Sequence, residues 1–303
     1  MSISIFKIKR WFKMLCGNSI EHVNQDKGKC FDSEKIRGYY NNLTEKVSKD
    51  LILLTNDSLP TLITENNRNI YFPVAIFQYG LGAYDLFLIS KEPQYRRKFQ
   101  QCVEWTVNNI DKYGRWNNFF FYSPENPYGA MAQGEGASLL IRAYVDSGNH
   151  VYLDLAKKAL DFMLLPLEDG GTTKYSQSEA YLMEYTFKGM VLNGAIFAWW
   201  GLYDYVLITK DKGGYKEALE KILNSLIKIL PRFKNTYWSM YSLDGLIASP
   251  FYHNLHIAQM EAMYELTRKD IFKECAEKWK KDQKNPLCYS IAFIKKAIQK
   301  LLE

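Results

Sequence analysis

The chain has 303 residues, enough for one large domain or two modest ones with a sizeable core. With 47% hydrophobic and 24% charged residues, 18 Gly and 9 Pro, it is neither disordered, collagen-like nor of low complexity. The formal charge of +6 gathers in the first 13 residues and between Lys269 and Lys300. It comes without a C2H2 spacing, an RNP-type aromatic run or a basic helix with interleaved aromatics, so it reads as solvated surface and not as a nucleic-acid face. The outlier is aromatic content, 15% of the chain and led by 22 tyrosines.

The N-terminal residues interleave Lys7, Lys9, Arg10 and Lys13 with Ile5, Phe6, Ile8, Trp11 and Phe12. Such a segment suits a peripheral membrane contact, although a loosely ordered leader is the plainer reading. No signal-peptide core follows it, and no 18-residue apolar run occurs anywhere in the chain. Cys16, Cys30, Cys102, Cys275 and Cys288 are widely spaced, with no Cys-x-x-Cys pair, which predicts free thiols and a cytoplasmic protein. Residues 1–65 are expected to form a leader that packs on the domain over 66–303.

That domain repeats. Similar segments centre on Tyr84, Tyr144, Tyr203 and Tyr264, at spacings of 60, 59 and 61 residues, and Gly82 and Lys91 of the first match Gly201 and Lys210 of the third. In each repeat an apolar helix ends near the tyrosine, a short polar turn follows, and a second, Lys-richer helix shows apolar residues at i, i+3, i+4 and i+7. A helix apolar on all sides is buried, and one with a single apolar stripe forms an outer layer. The prediction is an all-α fold, an α/α toroid or barrel of four helical hairpins.

Inner-to-outer turns are short, whereas the outer-to-inner connections Asp111 to Tyr128, Pro166 to Lys188 and Pro231 to Asn254 are long. Long loops in a compact domain tend to carry function, so the working face should lie at their end. They hold aromatic rings, amides, a few carboxylates and two imidazoles, a mixture suited to a sugar, whose C–H faces stack on rings and whose hydroxyls need donors and acceptors. Gly134 and Gly136, without a preceding strand, give a weak nucleotide signal. His253 and His256, three apart and without further ligands, do not define a metal site. The reading needs no metal and no cofactor.

At these loops the sequence resembles the catalytic domain of the D-glucuronyl C5-epimerases. The matching stretches are Phe72-Pro73-Val74 with Gln78 to Gly82, Ala130 to Gly134 with Arg142-Ala143-Tyr144, Glu184-Tyr185 with Val191 to Gly194 and Gly201 to Asp204, and Tyr252-His253 with His256 and Gln259. The resemblance implies an α/α barrel, a uronate polysaccharide or lipid-linked glycan as substrate, and an isomerase turning glucuronate into iduronate units, as in heparosan. It implies catalytic roles for Glu184, Tyr185, Tyr252 and Tyr241, with Tyr237 an alternative to the last. A homodimer is compatible with it.

Where the family tends to place an Arg three positions after the third tyrosine, this chain has Ser242-Leu243-Asp244. Arg142 and His253 are therefore candidates for the substrate carboxylate, and Gln78, Trp116, Tyr128, Gln133, Asn193 and His256 join them as candidate substrate-binding residues. Two alternatives stay open. A uronate lyase begins with the same abstraction of the C5 proton, and a noncatalytic glycan-binding protein would keep the toroid and its aromatic rim.

Overall fold

The computed structural model describes residues 22–48, 59–64 and 68–302, with Lys9, Phe12, Lys13 and Ser19 besides. Of the N-terminal basic and aromatic segment, Ile5, Phe6, Lys7, Ile8, Arg10 and Trp11 lie outside the described residues, as does Cys16. Cys30, Cys102, Cys275 and Cys288 carry free thiols.

After a helical turn, α1 (Glu45–Ser48), and a short antiparallel pair, β1 (Leu62–Ile63) with β2 (Asn69–Ile70), the chain builds four helical hairpins. Their inner helices are α2 (Pro73–Ser90), α4 (Ala130–Ser147), α6 (Leu192–Thr209) and α8 (Pro250–Thr267). The outer helices are α3 (Pro93–Asn109), α5 (Val151–Leu164), α7 (Lys216–Ile229) and α9 (Asp270–Lys284). Each inner helix packs on its own outer helix and on the next inner helix, which makes an all-α toroid. A last helix, α10 (Pro286–Leu302), follows the fourth hairpin, and a second antiparallel pair, β3 (Thr173–Ser176) with β4 (Glu179–Leu182), stands in the second long connection.

The layering follows the residue pattern. Helix α6 is buried continuously from Leu192 to Leu202, whereas α7 buries only Leu219, Ile222, Ser225 and Leu226, one face of an amphipathic helix. The inner helices α4 and α6 cross closely because Gly134 and Gly201 meet there. A Cβ on Gly134 would come within 2.4 Å of the Ala198 Cα, and one on Gly201 within 2.2 Å of the Gly134 carbonyl oxygen.

The repeat also has a structural cause at the short-turn end. All four inner helices stop in a residue of left-handed conformation, Lys91, Gly148, Lys210 and Arg268, whose N–H bonds back to Phe87, Tyr144, Val206 and Tyr264. Three of the four are basic, and their side chains complement the negative end of the helix dipole.

Residues 22–48 pack between the first and last hairpins. Lys27 pairs with Glu265 of α8, the Tyr39 N–H donates to Asp85 of α2 at 2.9 Å, and the Tyr203 hydroxyl donates to the Ser33 carbonyl at 2.8 Å. Tyr39 and Tyr40 are buried against Phe197 and Trp200 of α6.

One boundary differs from the sequence expectation. The third connection ends at Ser249, whose side chain accepts the Tyr252 N–H while Pro250 opens α8, so Tyr252, His253, Asn254 and His256 are helical. The first connection ends close to the expected Tyr128, since α4 begins at Ala130, directly after the extended Gly129.

Candidate active site

The long connections and the N-terminal turns of the inner helices share one end of the toroid. Glu184 follows β4, which is tied to α7 by the Ala180 N–H donating to the Ser225 hydroxyl at 2.9 Å. The Ala130 N–H donates to the Met183 carbonyl at 2.8 Å, which joins the next residue, Glu184, to the start of α4. The glycine at 194 leaves room for the Glu184 carboxyl group, since a Cβ there would lie 2.2 Å from Glu184 Oε2.

Glu184, Tyr185, Tyr241 and Tyr252 come together. The Tyr185 phenol lies within electrostatic reach of the Glu184 carboxyl group, and the Tyr241 and Tyr252 rings meet with centroids 4.8 Å apart. Burial pushes Glu184 up from 4.5 to about 7, against the lowering pull of the neighbouring Tyr185 phenol and the Lys188 charge. Burial, with Glu184 and Tyr252 nearby, holds the Tyr185 and Tyr241 phenols well above 10. Phe119 stacks on Tyr185 with centroids 4.7 Å apart, and the Lys188 ammonium lies 4.9 Å from the Tyr185 ring while donating to the Tyr122 hydroxyl at 2.7 Å. On the other side the buried Lys296 of α10 lies 5.7 Å from the Tyr241 ring. His22, from the N-terminal segment, meets Tyr252 edge to face at 6.0 Å.

Beneath the tyrosines, the inner helices supply a buried polar floor. Gln78 of α2 donates to Glu135 of α4 at 2.9 Å, and Gln259 of α8 donates to the Asn193 carbonyl of α6 at 3.1 Å. Glu135 Oε2, Glu184 Oε2, Asn193 Oδ1, Gln259 Oε1 and His256 Nε2 are buried without a hydrogen-bond partner. Unmatched acceptors of this kind are costly, and they mark where polar ligand groups would be satisfied. Burial, reinforced by Glu184, raises Glu135 to about 8 against the Gln78 hydrogen bond and the Lys46 charge.

Several candidates sit elsewhere. Arg142 is fully buried and pairs with Asp204 at 2.6 Å, while its other amino group donates to the Gly38 carbonyl at 3.0 Å, so its charge is spent within the core. His253 is also fully buried. It receives the Ser239 N–H at Nδ1, 3.2 Å away, which leaves Nε2 protonated toward the Trp279 carbonyl at 3.1 Å. Burial lowers both His253 and His256 to about 3, so neither is a cation at neutral pH. Neither Arg142 nor His253 is therefore placed to meet a substrate carboxylate.

Trp116 is buried, its indole N–H on the Thr106 carbonyl, and Gln133 is turned to the Trp116 backbone. Tyr128 packs edge to face on Phe162 beneath the Arg115 guanidinium. Sequence reasoning missed Lys188, Lys296 and His22, which no motif marks, and Glu135, which directly follows the matched Ala130 to Gly134 stretch. Among the described residues, no group of three or more His, Cys, Asp or Glu is placed to hold a metal ion.

Fold and site together define an α/α-toroid protein with a carboxylate and tyrosine cluster at its loop end. The family model for the D-glucuronyl C5-epimerase C-terminus matches residues 110–281, more than half of the chain, and the chain belongs to that family. A D-glucuronyl C5-epimerase of Caenorhabditis elegans is 25% identical over 220 residues, covering 63% of this chain and 36% of that protein. An uncharacterized protein of Methanocaldococcus jannaschii is 30% identical over 161 residues, covering 50% of this chain and 51% of its own length. The chain thus spans about a third to a half of these relatives. Among solved structures, the GH76A alpha-1,6-mannanase from Salegentibacter sp. HEL1_6 is similar at TM-score 0.48 and 14% identity, over 76% of each chain. The GH127 beta-arabinofuranosidase BT3674 is similar at TM-score 0.42 and 15% identity, over 68% of this chain and 32% of that one.

Proposed function

We propose that the protein inverts C5 of D-glucuronate units in a polysaccharide or lipid-linked glycan by tyrosine-mediated proton transfer. The observation that carries this reading is the convergence of Glu184 and Tyr185 with the packed Tyr241–Tyr252 ring pair in one buried cluster. Inversion requires two acid/base groups on opposite faces of the sugar ring, because the C5 proton leaves one face and a new proton arrives on the other.

A phenol held well above 10 is a competent donor but an inaccessible base unless its proton has somewhere to go. Glu184, raised to about 7, can take the Tyr185 proton as Tyr185 takes the one on C5. Tyr252 then protonates the carbanion from the opposite face, with Tyr241 holding its hydroxyl in place. Lys188 and Lys296, the cations beside the tyrosine rings, stand in for the family's arginine and stabilise the charge that spreads onto the C6 carboxylate.

The test is NMR of glucuronate-containing polysaccharides incubated with the protein in deuterated water. Deuterium should enter C5 and iduronate signals should appear, and both should vanish in Tyr185→Phe and Tyr252→Phe. Retained exchange in both variants overturns the assignment, and an unsaturated product absorbing in the near ultraviolet identifies a lyase instead.

A further inference from the structure

Helix α10 is built inside out. Its buried residues are Ala292 and Lys296, while Leu287, Ile291, Ile294, Ile298, Leu301 and Leu302 are each 51% to 74% exposed. At 100° per residue these six occupy a single face. The helix is fixed to the body by polar bonds from its inner side: Gln299 accepts the Ile247 N–H at 3.0 Å and donates to the Gly245 carbonyl at 3.0 Å. Tyr289 adds an edge contact to Trp238 with centroids 5.8 Å apart. The apolar stripe is therefore not a core face that failed to pack. It is held outward by contacts that use the opposite side, and a stripe of this kind marks a partner or membrane surface.

The charge around it selects the occupant. Of the lysines in residues 278–302, Lys278 pairs with Asp282, Lys280 pairs with Glu261 and Lys296 is buried, while Lys281, Lys284, Lys295 and Lys300 are exposed. Helix α10 has no acidic residue; exposed Lys295 flanks the stripe, and exposed Lys281 and Lys284 lie just before the helix. A two-fold contact between copies through this face would set one lysine cluster against another, a like-charge juxtaposition that opposes association. An anionic bilayer surface satisfies both features, taking the isoleucines and leucines at the headgroup boundary and the lysines against its phosphates.

We infer that α10 docks the protein on an anionic membrane surface. Among the described residues no helix is long and apolar enough to cross a membrane, so the contact is interfacial. The inference is independent of the chemistry proposed for the tyrosine cluster. It places that cluster one helix away from the bilayer, because the inner side of the same helix carries Lys296.

The experiment is flotation of the full chain with vesicles of phosphatidylcholine alone and of phosphatidylcholine mixed with phosphatidylglycerol. Binding is expected on the anionic vesicles and should weaken with salt. Ile291→Asp with Ile294→Asp should lower the partition coefficient at least about tenfold. Lys281→Gln and Lys295→Gln should each lower it about fivefold. All four positions are exposed, so circular dichroism and the melting temperature should not change. Three results overturn the inference: no vesicle binding, binding unchanged in the α10 variants, or a dimer in sedimentation that Ile291→Asp converts to monomer.

Discussion

Two buried charge clusters occupy opposite regions of the toroid and are finished differently. Toward the short-turn end, Arg142 and Asp204 face each other at 2.6 Å, and Asp204 also accepts the Ser138 hydroxyl at 2.6 Å and the Tyr40 hydroxyl at 2.5 Å. Toward the loop end, Glu135 and Glu184 are both buried carboxyl groups, the Glu184 charge raises Glu135 instead of offsetting it, and each leaves an oxygen without a partner. A balanced buried pair knits the N-terminal segment to the inner helices. An unbalanced one keeps protons near neutrality and leaves acceptors for a ligand, at a cost in stability that the surrounding core offsets. The same chemical ingredients therefore read as structure at one end and as a candidate site at the other.

This contrast can be broken experimentally. The largest effect belongs to Tyr185→Phe, which should lower C5 hydrogen exchange about 10²- to 10⁴-fold, with little change in the urea midpoint. At the other end Arg142→Met should do the reverse, costing about 3–5 kcal/mol in urea denaturation because Asp204 is left buried and unpaired. Adding Asp204→Leu should recover much of that loss. Next, Gly194→Ala places a methyl group against Glu184 Oε2 and should reduce exchange about a hundredfold by displacing the carboxyl group; an unchanged rate would show that Glu184 is not position-critical.

The smallest effect is a slope with pH. Glu135 keeps its proton to about 8 in the folded state, whereas an ordinary glutamate releases it near 4.5. Between those values the folded state binds more protons, so this contribution to stability is complete below about 4.5 and is lost as pH rises through about 8. Glu135→Gln should flatten that decline in denaturation midpoints measured across the interval, and an equal slope in both proteins would place an ionised or solvated Glu135 in the fold.

Much of the architecture was legible because it repeats. Tyr144 and Tyr264 supply the carbonyl that the left-handed end residue of their helix bonds to, so their spacing reports the helical hairpin itself. The apolar surround of α6 and the single stripe of α7 likewise separate inner from outer layer. The tyrosine cluster was reachable through the Glu184-Tyr185 and Tyr252-His253 motifs. Its electrostatics were not. Arg142 and His253 carry the right residue types for a carboxylate site, yet a sequence does not say whether a cation is already matched. Asp204 lies 62 positions from Arg142, and the Trp279 carbonyl that fixes the His253 tautomer lies 26 positions from that ring.

The sequence by itself determined the all-α class, the four hairpins and the end of the molecule that carries the long connections, because periodicity and turn residues are local properties. Only the tertiary structure decided which charges are neutralised and which stay poised. Pairing, burial and the direction in which a helix such as α10 turns its apolar face depend on what distant segments bring alongside.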